Sequence, residues 1–155
     1  MRTLFLLLLV GCSKSPEIQP FQGPDGVEGL ETGVDEVLWV VTHLRVRNAP
    51  GPGGRFGELA NTIGNDLFEN PREGWLGASF RNIGRLDWWT LTAWESEEAM
   101  NAWVVSPDHA TAMAEFTEIA VSGENKWIRR PASEGVMDWD TALLALEQPD
   151  FSYAR

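Results

Sequence analysis

From Glu36 to Arg47 the chain reads EVLWVVTHLRVR, and its positions sort with a period of two. Leu38, Val40, Thr42, Leu44 and Val46 fall on one face, and Trp39, Val41, His43, Arg45 and Arg47 on the other. That is the pattern of a strand whose faces meet different surroundings. NAPGPGG breaks it, and Phe56, Leu59, Ala60, Ile63 and Leu67 then repeat at helical spacing until ENPREG. Two further strand-like runs, Trp75–Arg81 and Leu86–Trp94, are joined by NIGR as a hairpin. Ser96 followed by two glutamates predicts a capped helix start with Met100, Trp103 and Val104 inward. Ser106-Pro107 predicts a second start, with His109, Met113, Phe116 and Ala120 on one stripe. ENKWIRRP predicts a fourth strand around Trp127. Asp138 predicts the cap of a last helix facing inward through Trp139, Ala142, Leu143 and Leu146.

The order β-α-β-β-α-β plus a terminal helix predicts an α+β, ferredoxin-like split βαβ arrangement. Its four-stranded antiparallel sheet would carry helices on one face. The second face, expected to bear Trp39, His43, Trp75 and Trp127, is then too aromatic to leave in water, and a second copy of the chain is the expected cover.

The ends carry different signals. One positive charge at Arg2, an apolar run from Leu4 to Val10 and a closing Gly11-Cys12 form a secretory pattern, too short for the ~20 apolar residues of a membrane span. Leu9-Val10-Gly11-Cys12 resembles the lipobox of bacterial lipoproteins, which implies a signal over 1–11, lipid attachment at Cys12 and membrane anchoring in the cell envelope. Ser13, in place of the Asp associated with inner-membrane retention, favours the outer membrane. Residues 12–34, rich in Pro and Gly and without periodicity, are expected to be a flexible tether, 35–148 the folded domain and 149–155 a tail. Cys12 is the only cysteine, so disulfide frameworks, thiolate catalysis and Cys-ligated metal are excluded.

The chain carries a net charge of −11, and loss of Arg2 with the signal leaves −12. Such a balance argues against nucleic acid and anionic surfaces as partners. Eight tryptophans in 155 residues point instead to a core rich in rings or to a pocket for a flat apolar ligand. Two well-separated histidines and no carboxylate set at ligand spacing argue against a metal centre. GPGGRFG follows a strand and opens a helix, but Phe56 stands where a dinucleotide fingerprint needs its third glycine. His109 reads either as a half-buried structural imidazole or as a ligand contact. His43, on the face of Trp39 and Arg45, is the more suggestive of the two. Trp88 and Trp89 point to opposite faces, so only one of them can line a given cavity.

The run WWTLTAWESEEAMNAWVVSPDHATAM, with the order of elements around it, resembles the antibiotic biosynthesis monooxygenase superfamily of dimeric α+β barrels over about Val37 to Arg130. The resemblance implies a homodimer, a small aromatic ligand and, in part of the family, oxygenation without a cofactor. It makes His43 the candidate base and Arg45 the anion stabiliser, with Trp39, Trp75, Trp88, Trp94 and Trp103 as the aromatic box and His109 at its edge. Two alternatives stay open: a non-catalytic ligand-binding or protein-interaction module, and a haem-binding or haem-degrading enzyme. The haem branch places a His ten residues beyond the helix Trp, where this chain has Met113, and an Asn near the position of His43.

Overall fold

In a computed structural model that describes residues 15–154, the predicted elements are present and two strands are added. In chain order they are β1 (Glu17–Gln22), β2 (Glu36–Val46), α1 (Pro52–Glu69), β3 (Trp75–Ile83), β4 (Asp87–Trp94), α2 (Glu97–Val104), α3 (Pro107–Ile119), β5 (Ala120–Pro131), α4 (Trp139–Leu146) and β6 (Phe151–Ala154). The signal-like segment and Cys12 lie outside the described residues. Among the described residues no helix is long and apolar enough to cross a membrane.

The sheet is antiparallel, with the order β1-β3-β4-β2-β5-β6. Six strands therefore replace the expected four. β1 arises inside the expected tether, and β6 inside the expected tail. Neither has the length or alternation that betrays a strand in sequence. Each exists because β3 and β5 would otherwise present unpaired edges, and the extra strand satisfies those N–H and C=O groups. β1 is fastened by Phe21, whose ring lies 5.5 Å from that of Trp39. β6 is fastened by Tyr153, edge-on to Phe116 at 5.2 Å, and by the preceding Asp150, which accepts from Lys126 Nζ at 2.7 Å and Trp127 N at 2.9 Å.

β2 runs through the middle, and its period of two divides the core in two. Leu38 and Val40 pack with Trp75, Trp94, Leu67 and Met100 beneath α1 and α2, while Val46 packs with Leu59 and Ile119 beneath α1 and α3. On the other face Val37, Trp39 and Val41 pack with Leu91, Ala93, Met137, Ala142 and Leu146. Helices thus stand on both faces, against the expected one. α4 crosses the end of the sheet that was expected to await a second copy, and leaves the other end of that face uncovered.

Two of the three expected caps form: Ser96 Oγ accepts from Ala99 N, and the Asp138 carboxylate from Thr141 N. Hydrogen bonds from Thr141 hold the Asp138 carboxyl below its ordinary range. Ser106 makes no side-chain cap, and Pro107 alone starts α3. Of the expected α3 stripe His109, Phe116 and Ala120 face inward, while Met113 is exposed and Ile119 is buried in addition.

Candidate functional site: an aromatic cleft with two arginines

Strand register decides which expected site residues can meet. His43 pairs across the sheet with Trp89 on β4 and Glu124 on β5, and Trp89 pairs with Arg81 on β3. Since side chains alternate, these four stand in one row on the second face, beyond the end covered by α4. The His43 and Trp89 rings stack at 4.3 Å and 8°, and the Arg81 guanidinium lies 5.3 Å from the Trp89 ring centre. His43 Nδ1 contacts Glu124 Oε1 at 3.1 Å, and Nε2 faces Asp87 Oδ1 at 3.5 Å. A general base must turn a free nitrogen toward its substrate. His43 turns both nitrogens toward carboxylates. Arg45 is exposed and, among the described residues, reaches the Asp87 carboxylate at 3.9 Å.

Trp75, Trp88, Trp94, Trp103 and His109 lie across the sheet, on the face beneath α1, α2 and α3. The expected box is therefore split: only Trp39 shares a face with His43 and Arg45, and it is sealed under α4. Trp94 and Trp75 are core bulk, at 0 % and 2 % exposure. Trp94 Nε1 donates to Thr92 Oγ1 at 3.0 Å, and Trp75 meets Phe68 edge-on at 5.0 Å. Trp103 bridges Trp94, at 5.5 Å, to His109, at 4.3 Å. His109 Nδ1–H donates to the Val104 carbonyl at 3.0 Å, and burial pushes its pKa below the ordinary imidazole value. His109 stands as a structural imidazole that ties α3 to the end of α2. Among the described residues no three His, Cys, Asp or Glu side chains are placed to hold a metal ion.

A cleft of ligand size lies elsewhere on the helix face, where the start of α1 leans over the β3–β4 hairpin. Open to one side, it has a volume of about 490 Å³, within the roughly 300–1,000 Å³ of small-molecule clefts. Phe56 and Trp88, 5.3 Å apart and tilted at 51°, form its aromatic wall. Trp88 is fixed by its Nε1 bond to the Arg85 carbonyl, 3.1 Å. Gly53, Gly57 and Ala60, one small stripe of α1, form the opposite wall, and a Cβ added at either glycine would meet open space. The polar rim consists of Arg47, Arg85, Asn48 and Asn61. Arg47 is oriented by the carbonyls that end α3: Nη2 donates to Thr117 O at 3.1 Å and Ala120 O at 2.9 Å, and Nε to Glu118 O at 3.2 Å. Of the expected box, only Trp88 lines this cleft. Phe56, Arg47 and Arg85 were missed because the first read as a core stripe and the arginines as strand-end and turn residues. The one available signal was the glycine run opening α1 directly after an Arg-bearing strand.

No family model matches the sequence, and no curated protein does. Solved structures do. A protein of Fusobacterium nucleatum provisionally named a monooxygenase superposes with a TM-score of 0.57 at 13 % identity, over 76 % of this chain and 54 % of that one. A Lactobacillus acidophilus protein with the same provisional name gives 0.52 at 12 %, over 65 % and 48 %. A Caulobacter crescentus protein provisionally named an antibiotic biosynthesis monooxygenase gives 0.52 at 14 %, over 61 % and 89 %. This chain shares the α+β fold of these proteins. It spans about half the length of the first two proteins. In this chain the edge strand β1 and the helix α4 stand around the Trp39 end of the second face, away from the cleft at Trp88.

Proposed function

We propose that the domain binds a flat, apolar small molecule in the cleft between α1 and the β3–β4 hairpin. The observation that carries this is the cleft itself: a ring held by a hydrogen bond, a wall of small residues, and a few polar groups among its lining. Trp88 offers its face to the ligand, and the glycines of α1 allow a planar molecule to lie close to the backbone. 2-Naphthamide is a suitable neutral probe. Saturable one-to-one binding by calorimetry, lost in Trp88→Ala but retained in His43→Ala, is the expected result. Failure of the wild-type protein to bind any flat probe would overturn the reading.

Oxygenation of such a ligand without a cofactor is the second reading, favoured by the rim donors Asn48, Asn61 and Arg85, which could hold a phenolate oxygen. It predicts oxygen uptake with the true substrate. Haem fits poorly, because neither His43 nor His109 lines the cleft.

We propose lipid attachment at Cys12 on the strength of the sequence pattern alone. Cys12→Ala should release the chain from membranes, and unchanged fractionation and mass would refute it. With β1 starting at Glu17, such an anchor could stand at most about 18 Å from the sheet, rather than at the end of a long tether. A second copy over the uncovered end of the second face is proposed likewise. It should bury more than roughly 1,000 Å² in total, and sedimentation as a monomer at micromolar concentration would refute it.

A further inference from the structure

Resting on the cleft reading, we infer that its ligand carries an oxyanion, taken at the rim by Arg85 and oriented by Arg47. The chain holds 23 acidic residues against 12 basic ones, so a cavity assembled from it at random would be edged by carboxylates. This one is not. Arg47 and Arg85 are the charged groups among its lining residues, and no Asp or Glu lines it. Among the other described arginines most are paired with carboxylates: Arg55 with Glu58 and Glu115, Arg72 with Asp66, Arg129 with Glu36 and Glu97, Arg130 with Glu134 and, at 3.9 Å, Arg45 with Asp87, while Arg81 lies over Trp89. Among the described residues Arg85 has no carboxylate partner, and Arg47 spends Nε and Nη2 on backbone carbonyls.

Position adds direction to the charge. Arg85 sits in the turn of the hairpin, three residues before Trp88, and its own carbonyl holds the indole. The cation and the stacking face are thus set by one turn, so a planar ring lying on Trp88 brings a substituent on its edge to the guanidinium. A second, more open cleft at the tip of the same hairpin is lined by Asn48, Ile83, Gly84, Arg85, Leu86 and Asp87. Arg85 is therefore at the mouth of both, where an acidic substituent meets solvent rather than the apolar interior. Desolvating an unpaired carboxylate deep in an apolar cleft would be costly, and a guanidinium at the mouth removes that cost. The class of ligand is a flat aromatic acid, with carboxylate or sulfonate geometry open to a two-pronged guanidinium contact.

The probes are 2-naphthoate, 2-naphthalenesulfonate and neutral 2-naphthamide, titrated calorimetrically into the protein at low and at physiological salt. At least one anion should bind about tenfold more tightly than the amide, as expected for one charge-assisted contact. That advantage should shrink with salt and vanish in Arg85→Gln, where the anions should bind no more tightly than the amide. A naphthoate preference assigns a carboxylate ligand, and a sulfonate preference a sulfonate. Equal affinity for all three probes, or an anion preference that survives Arg85→Gln, overturns the oxyanion inference and leaves the cleft reading standing. Binding of none of the three overturns both.

Discussion

Gly77→Ala tests whether the segment before the domain is a structural strand. Gly77 lies on β3 with φ +145, a conformation that side-chain-bearing residues rarely adopt, and a Cβ there would stand 2.4 Å from Phe21 Cζ and 2.6 Å from the Gln22 carbonyl oxygen. Both obstacles belong to β1, and Phe21 is 8 % exposed. Two routes are open to the variant. Keeping β1 in place means accepting backbone strain of roughly 1–3 kcal/mol plus overpacking of roughly 1–3 kcal/mol. Expelling the Phe21 ring means losing a buried aromatic, which by analogy with Phe→Ala substitutions costs roughly 3–5 kcal/mol. The cheaper route sets the outcome, so a loss of about 3 kcal/mol is expected in urea unfolding. The decisive measurement is the cycle with Phe21→Ala. With the ring gone, the added methyl meets less, and the double variant should be less destabilised than the sum of the singles by more than about 1 kcal/mol. Strict additivity, or a Gly77→Ala variant within roughly 0.5 kcal/mol of the parent, would mean that residues 17–22 do not pack on the sheet, and the six-stranded description would fail at that edge.

Three other outcomes can be read with similar assays. Trp139→Phe keeps the ring but removes the 3.0 Å bond from Nε1 to Ser79 Oγ, which itself donates to the Gln19 carbonyl; a loss of about 1 kcal/mol is expected, and none would mean that α4 is not seated there. Burial lowers the folded pKa of His109, so the unfolded chain binds more protons below the unfolded value of about 6.5. Stability should therefore fall as pH drops through that value, and this part of the slope should disappear in His109→Gln. His43→Ala removes the stack on Trp89 and the contacts to Glu124 and Asp87, so a stability loss of roughly 1–2 kcal/mol is expected with unchanged probe binding at the cleft; loss of binding without loss of stability would return His43 to the site.

The helices and the four central strands were legible in the sequence because their signals are local. Alternation along Leu38–Val46 marks a strand wherever it is placed, and Ser96 and Asp138 satisfy helix N–H groups within three residues of themselves. Opposite facing of Trp88 and Trp89 follows from the same period of two. The site was less legible. Trp75, Trp94 and Trp103 read identically as pocket wall or as core, and only the closing of α1 and α2 over them made them core. His43 read as an isolated imidazole on a strand, and only the tertiary structure brought Asp87 and Glu124 to face its two nitrogens, contacts 44 and 81 positions distant in the chain. Arg85 and Phe56 meet at a cleft only because the β3–β4 hairpin folds back beneath the start of α1. β1 and β6 carry almost no pattern of their own: six and four residues are too few to show a period, and their order comes from the open hydrogen-bonding edges of β3 and β5. Periodicity and capping act within a few residues and survive in any sequence; burial, pairing partners and the shape of a cleft depend on residues far apart, and the tertiary structure alone decides them.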